Sequence, residues 1–127
     1  MDTIERELAD IEKGIVQLFN KGQVKDILQY FEPNFVGFSS TKHDRITSLS
    51  QLKKTFDHYL GEGDKVVYAV RNMKVKIYGE AALTSFYWKV DITKKKKVKT
   101  IEGRGSHVFL MGESGWKIVH EHYSKTH

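Results

Sequence analysis

Apolar residues recur at helical spacing in the first half of this chain and at every second position from Lys65 onward. That change of period divides it. Ile4, Leu8, Ile11, Ile15 and Leu18/Phe19 fall three or four residues apart, the stripe of one amphipathic helix. Asp2 followed by Glu5 gives this helix a capping signature, and Lys21-Gly22 gives it a stop. A helix of about 20 residues is roughly 30 Å long, enough to lie across a whole sheet. Residues 24–31 predict a second, short helix, closed before Pro33 because a pre-proline residue is pushed out of the helical region. Phe35 to Ser39 reads as a first short strand, followed by a polar loop through His43 and Asp44, residues placed to contact a ligand or to form an ordinary surface turn. Ser48 with Gln51 opens a third helix, with Leu49, Leu52, Phe56 and Tyr59/Leu60 as its buried stripe and Gly61 and Gly63 as its close.

After Lys65 the pattern predicts four long strands, at 65–78, 80–93, 98–111 and 116–125. Turns fall at Gly79, at the lysine run and at Gly112. No repeat or linker interrupts the chain, so residues 1–127 read as one domain. Helices first and a meander of strands afterwards is the order of an α+β fold, with helices packed on one face of a mainly antiparallel sheet.

The final hairpin, GRGSHVFLMGESGWKIVHEHYS from Gly103 to Ser124, carries the most chemistry. Strict alternation puts Trp116, Ile118, His120 and His122 on one face. With a loop at 112–115, Met111 faces Trp116, Phe109 faces Ile118 and His107 faces His120, so three imidazoles gather over an apolar floor. The other face then holds Arg104, Ser106, Val108, Leu110, Lys117, Val119, Glu121 and Tyr123. This mixture suits a convex surface partly covered by a second subunit, and predicts a homodimer. On the preceding strand Ala82, Thr84, Phe86, Trp88 and Val90 share one face, and Leu83, Ser85, Tyr87, Lys89 and Asp91 the other. Both rows hold apolar residues, so the pattern leaves open which is concave.

A strand, a tight glycine turn and then G-W-K-I-V-H-E-H-x-S near the C-terminus resembles the SnoaL-like branch of the nuclear transport factor 2-like superfamily. That superfamily includes ketosteroid isomerase, scytalone dehydratase, polyketide cyclases and the association domain of calcium/calmodulin-dependent kinase. The association domain has the most similar tail, a Trp followed by His-x-His at the spacing of Trp116, His120 and His122. The resemblance implies a cone-shaped, cystatin-like roll, a strongly curved sheet wrapped around the N-terminal helices with a pocket between them. In the association domain two arginines project into that pocket. Their positions fall on Trp88 (or Lys89) and His107, neither of which is arginine, so the resemblance implies a flatter, more aromatic pocket here. One fold of this kind hosts many chemistries.

Composition narrows the classes. With 39% apolar residues, one proline and ten glycines, the chain has enough apolar content for a single core and too little proline for a disordered protein. It has no cysteine, which removes disulfides and thiol chemistry and fits a reducing cytoplasm. The N-terminal MDTIEREL lacks an apolar run, so no signal peptide is expected, and no segment is long enough to span a bilayer. The net charge of +5 arises largely from Lys94 to Lys97 and Lys99. Without interleaved aromatics this run reads as a solvated hairpin tip, and no nucleic-acid partner is expected.

Two readings follow. In the first, the domain binds a small molecule, with His107 or His122 as general acid or base. Trp88, His120, Tyr30 and Tyr59 line the pocket, and the reaction class is isomerase, cyclase, dehydratase or hydrolase on a small hydrophobic substrate. In the second, it is a non-enzymatic module that oligomerises or senses a ligand. Three histidines match the ligand count of a catalytic zinc, but that face offers no accompanying carboxylate, and no metal or cofactor is expected. The Asp, Tyr and protonated-Asp set of ketosteroid isomerase finds no positions here, nor does the Asp-Arg-Asp set of limonene-epoxide hydrolase. A cavity of roughly 300 Å³ or more favours the first reading and a cone plugged by its own side chains the second.

Overall fold

The computed structural model describes residues 3–126, so the cap expected at Asp2 lies outside the described residues. Three helical segments precede most of the sheet: α1 (Thr3–Asn20), a short α2 (Val24–Ile27) that tightens into a 3-10 turn (Leu28–Tyr30), and α3 (Leu49–Leu60). The strands are β1 (Phe31–Phe38), β2 (Lys65–Tyr78), β3 (Ala81–Lys94), β4 (Lys97–Gly112) and β5 (Gly115–Lys125). They form one sheet in the order β1-β5-β4-β3-β2. Every pair is antiparallel except β1 with β5, as expected for an α+β fold whose meander closes onto its first strand. β1 starts four residues before its expected position and runs through Pro33, a residue tolerated on an edge strand because it needs no ladder donor there.

Local signals explain the helix ends. The Ser48 hydroxyl accepts from the Gln51 amide at 3.2 Å, capping α3. At the end of α1 the Gln23 amide donates to the Leu18 carbonyl and the Gly22 amide to Phe19, a Schellman pair that satisfies carbonyls the helix leaves free. Asn20 then ties α1 to the edge of the sheet. Its amide donates to the Tyr68 carbonyl at 2.9 Å and its oxygen accepts from the Tyr68 amide at 2.8 Å, in the manner of an added strand residue. Leu8, Ile15 and Phe19 of α1 and Leu52 and Tyr59 of α3 bury their faces against Ala82, Phe86, Trp88, Val90, Phe109 and Ile118. That contact fixes the concave side of β3 as the Trp88 row, the choice periodicity left open.

Two bulges set the shape of the long strands. β2 gains a residue between Arg71 and Lys74, with Asn72 at positive φ. β5 gains Val119, since Phe109 pairs with Ile118 but Val108 pairs with His120. A bulge bends its strand and increases its twist. The second one also inverts the alternation of the six residues that follow it in β5.

The β3–β4 hairpin turns on Lys95 and Lys96, both at positive φ (52° and 66°), where an L-residue pays about 1 kcal/mol or more. The Asp64 carboxylate accepts from the Lys95 amide at 3.1 Å and holds the tip. Replacing the pair with Asn-Gly, the residues a two-residue turn of this hand prefers, is expected to raise stability by about 1 kcal/mol. Thermal denaturation of K95N/K96G against the parent chain checks this, and an unchanged or lower Tm would count against the strain.

Candidate functional site

Glu12 occupies the apolar stripe of α1 between Leu8 and Ile15, and its carboxylate points into the sheet with only 3% of the residue exposed. There it meets His107 of β4, 1% exposed: Oε2 lies 2.7 Å from Nδ1. On the far side of the ring, Nε2 lies 3.2 Å from Oε1 of Glu121, also 3% exposed. The Thr84 hydroxyl adds a third anchor, donating to Glu12 Oε2 at 2.6 Å. Burial alone pushes the imidazole toward neutrality. Glu12, by charge and hydrogen bond, and then Glu121 override it and hold the His107 pKa up to about 10. Both ring nitrogens of the resulting cation donate, and Phe31, Phe86, Phe109 and Tyr123 pack around it at 5.4–6.2 Å between centroids.

The bulge at Val119 decides which residues belong to this site. Below it Trp116 and Ile118 face the core as expected. Beyond it, Glu121 and Tyr123 turn inward opposite His107 and Gly105, while His120 and His122 turn out. The expected cluster of three imidazoles is therefore corrected to one imidazole between two carboxylates. His120 bonds through Nδ1 to the Val36 carbonyl at 2.8 Å. His122 is exposed and lies beside Phe38 at 5.6 Å. Strict alternation misplaced Glu121 and Tyr123 on the convex face, because the extra residue has no signature of its own in V-H-E-H. Glu12 carried a legible signal, a carboxylate inside an otherwise apolar helical stripe.

A small cavity opens beside the triad, between α1, α3 and the sheet. Its volume is about 40 Å³, and Phe19, Phe56, Tyr59, Tyr68, Trp88 and Tyr123 supply its rings, with Glu121 the charged member of its wall. Ser39, Ser40 and Thr55 belong to the same lining. Tyr59 is held by Ser40, hydroxyl to hydroxyl at 2.8 Å, and the Trp88 indole donates to the Arg104 carbonyl at 3.1 Å. Tyr68 and Tyr123 share a hydrogen bond at 2.9 Å. Burial above all raises both of their pKa values, with the carboxylates of Glu12 and Glu121 adding to it and Tyr68 adding to it at Tyr123, so these hydroxyls keep their protons. Among the expected pocket residues, Trp88 and Tyr59 line this cavity. Tyr30 does not: its hydroxyl packs against α1 at Gly14. His43 and Asp44 are exposed in the loop beyond Ser40.

Two glycines of β4 make room for rings of β3, one of them the Trp88 ring of the cavity wall. Trp88 pairs with Gly103 and Phe86 with Gly105 across β3 and β4. A Cβ on Gly103 would collide with the Ser124 carbonyl and lie 2.5 Å from the Trp88 ring, and one on Gly105 would lie 2.6 Å from Phe86, so both rings rest on bare backbone. Lys89, on the opposite face, points outward toward Asp91.

This fold and sequence have known relatives. Residues 10–126 match the model of the SnoaL-like domain. The chain belongs to that family. Among solved structures it superposes on a nuclear transport factor 2-like superfamily protein of Salmonella enterica serovar Typhimurium with a TM-score of 0.83 at 21% identity, covering 98% of this chain and 92% of that one. A nuclear transport factor 2-like protein with a cystatin-like fold from Novosphingobium aromaticivorans gives 0.81 at 10% identity, covering 95% and 80%. The CaMKII hub of S. rosetta gives 0.80 at 19% identity, covering 95% of each chain. A search of the curated proteins finds no significant match. At these identities the likeness shows the cystatin-like roll and leaves the chemistry to the residues. Among the described residues, no helix is long and apolar enough to cross a membrane.

The raised His107 pKa fixes a pH dependence. Its proton stays on in the folded chain up to about pH 10 but leaves the unfolded chain near the ordinary value of 6.5. The stability it contributes is full below about pH 6.5 and is lost as pH rises toward 10. Urea titrations from pH 6 to 10 should show the parent chain losing stability steadily, and H107Q, already weaker, losing much less across the same window. Equal slopes would mean that the imidazole is not held charged.

Proposed function

We propose that this SnoaL-like domain binds a small molecule in the aromatic cavity beneath α3, as a ligand-binding or ligand-sensing module. One observation carries the reading: a buried ionic triad ends on a carboxylate that forms part of the cavity wall. Taking three ionisable groups out of water costs several kcal/mol per ion before pairing, and well-packed apolar residues often serve a core as well or better. Perturbed groups beside a cleft mark a candidate functional site. The cavity of about 40 Å³ is far below the roughly 300 Å³ of a drug-sized pocket, which favours a compact ligand or a single side group of a larger one.

His107 serves this site as a positioning residue. A general base needs a free lone pair, and both nitrogens of this imidazolium are committed to carboxylates, so Glu121 is the charged group offered to a ligand. Trp88 and Tyr59 supply ring contacts. T55W places an indole in the lining and should abolish ligand binding, read from the Trp88 indole signal in proton–nitrogen spectra, while leaving the fold intact. Ligand binding of unchanged strength in folded T55W would refute the cavity assignment.

A second reading concerns assembly, as the hub relative suggests by name. The convex face exposes Leu83, Tyr87, Leu110 and Val36, with His120 and His122 beside them, an apolar patch of the kind that marks an interface. We place a homodimer contact there. Light scattering at tens of micromolar should return twice the mass of 14.7 kDa, and L83K/L110K should return the monomer mass. A monomeric parent chain at that concentration would exclude the contact.

A further inference from the structure

The charges and rings around the cavity define the ligand more narrowly. Glu12 and Glu121 contribute two carboxylates and His107 one cation, leaving one negative charge uncompensated within the triad. Among the described residues that line the cavity there is no Lys, Arg or His. Glu121 Oε1 is engaged by His107, while Oε2 takes part in none of the hydrogen bonds of the described residues, on a side chain 3% exposed that belongs to the cavity lining. A carboxylate oxygen in that position accepts only; it calls for a donor or a positive charge. An anionic ligand would meet like charge in a poorly solvated space.

The rest of the lining has the same preference. Phe19, Phe56, Tyr59, Tyr68, Trp88 and Tyr123 make the lining mostly aromatic. Aromatic faces attract cations, indole most strongly, and a desolvated cage of rings beside a carboxylate is the arrangement that recognises alkylated ammonium groups. Room for roughly three waters limits the guest to a compact head. We propose that the cavity is a binding site for a small organic cation, an alkylammonium group held by Glu121 and by the ring faces of Trp88 and its neighbours. This rests on the ligand-binding reading above and names its ligand class.

Three probes of similar shape and different charge test it on the full chain: tetramethylammonium, neutral tert-butanol and anionic pivalate. Binding is read at the Trp88 indole signal, with Trp116 as the internal reference. Tetramethylammonium should bind at least tenfold more tightly than either other probe, and E121Q should lose at least tenfold of that affinity while circular dichroism shows it folded. T55W should bind none of the three. If E121Q does not fold, the parent chain's ranking of the three probes still decides the charge preference. Binding of tert-butanol or pivalate as tightly as the cation, blocked by T55W, would overturn the cationic assignment and leave the ligand-binding reading standing. If no probe moves Trp88, or if T55W fails to block the shift, the cavity is not the site and both readings fall.

Discussion

The Glu12–His107–Glu121 triad is the constraint on which the remainder of this molecule depends. It joins the middle of the first helix to the centre of the sheet, across 95 residues of chain in one contact and 14 in the other. An ionic group in a low-dielectric interior tolerates little displacement, because an unpaired buried charge costs several kcal/mol. The triad therefore specifies the depth and rotation of α1 over the strands in a way that the interchangeable apolar contacts of Leu8 and Ile15 cannot. It also requires the irregularity in β5. Without Val119 as an extra residue, Glu121 would face outward and His120 would be carried into the core beside an already cationic ring.

Seen this way, one sheet provides two unlike surfaces. The concave side concentrates charge, hydroxyls and rings in a small volume between the helices. The convex side carries Leu83, Tyr87 and Leu110 in the open, flanked by imidazoles that a sequence motif associates with the interior. The family resemblance of the tail identified the fold, yet the two histidines that carry much of that resemblance lie outside the cavity. What defines this cavity is the glutamate between them.

Much of the architecture was legible in the sequence because it rests on local rules. The α1 and α3 stripes, the Ser48 cap and the strand limits follow from periodicity and capping, and each lies within a few residues of its expected place. The row containing Trp88 could be found but not assigned a side until the helices were seen against it. The site was less legible. Period-two reasoning carries across a whole strand only while the ladder is unbroken, and a single bulge reversed the facing of every residue from His120 to Tyr123. Tyr30 failed for another reason: a tyrosine beside a 3-10 turn could point to several neighbours, and the gap at Gly14 received it. Glu12, a charged residue in an apolar stripe, was the one site member whose anomaly stood in plain view.

Trp88 rests on Gly103, so the width of the cavity is set partly by a residue that has no side chain. A side chain there would collide with the Ser124 carbonyl as well as with the indole, so backbone and ring together hold that position to glycine, whereas trimming the ring bares peptide backbone on the cavity wall. Divergence at this wall therefore proceeds through exchange of the ring while the glycine beneath it is kept. A relative with that exchange would share the roll and carry a pocket of different selectivity.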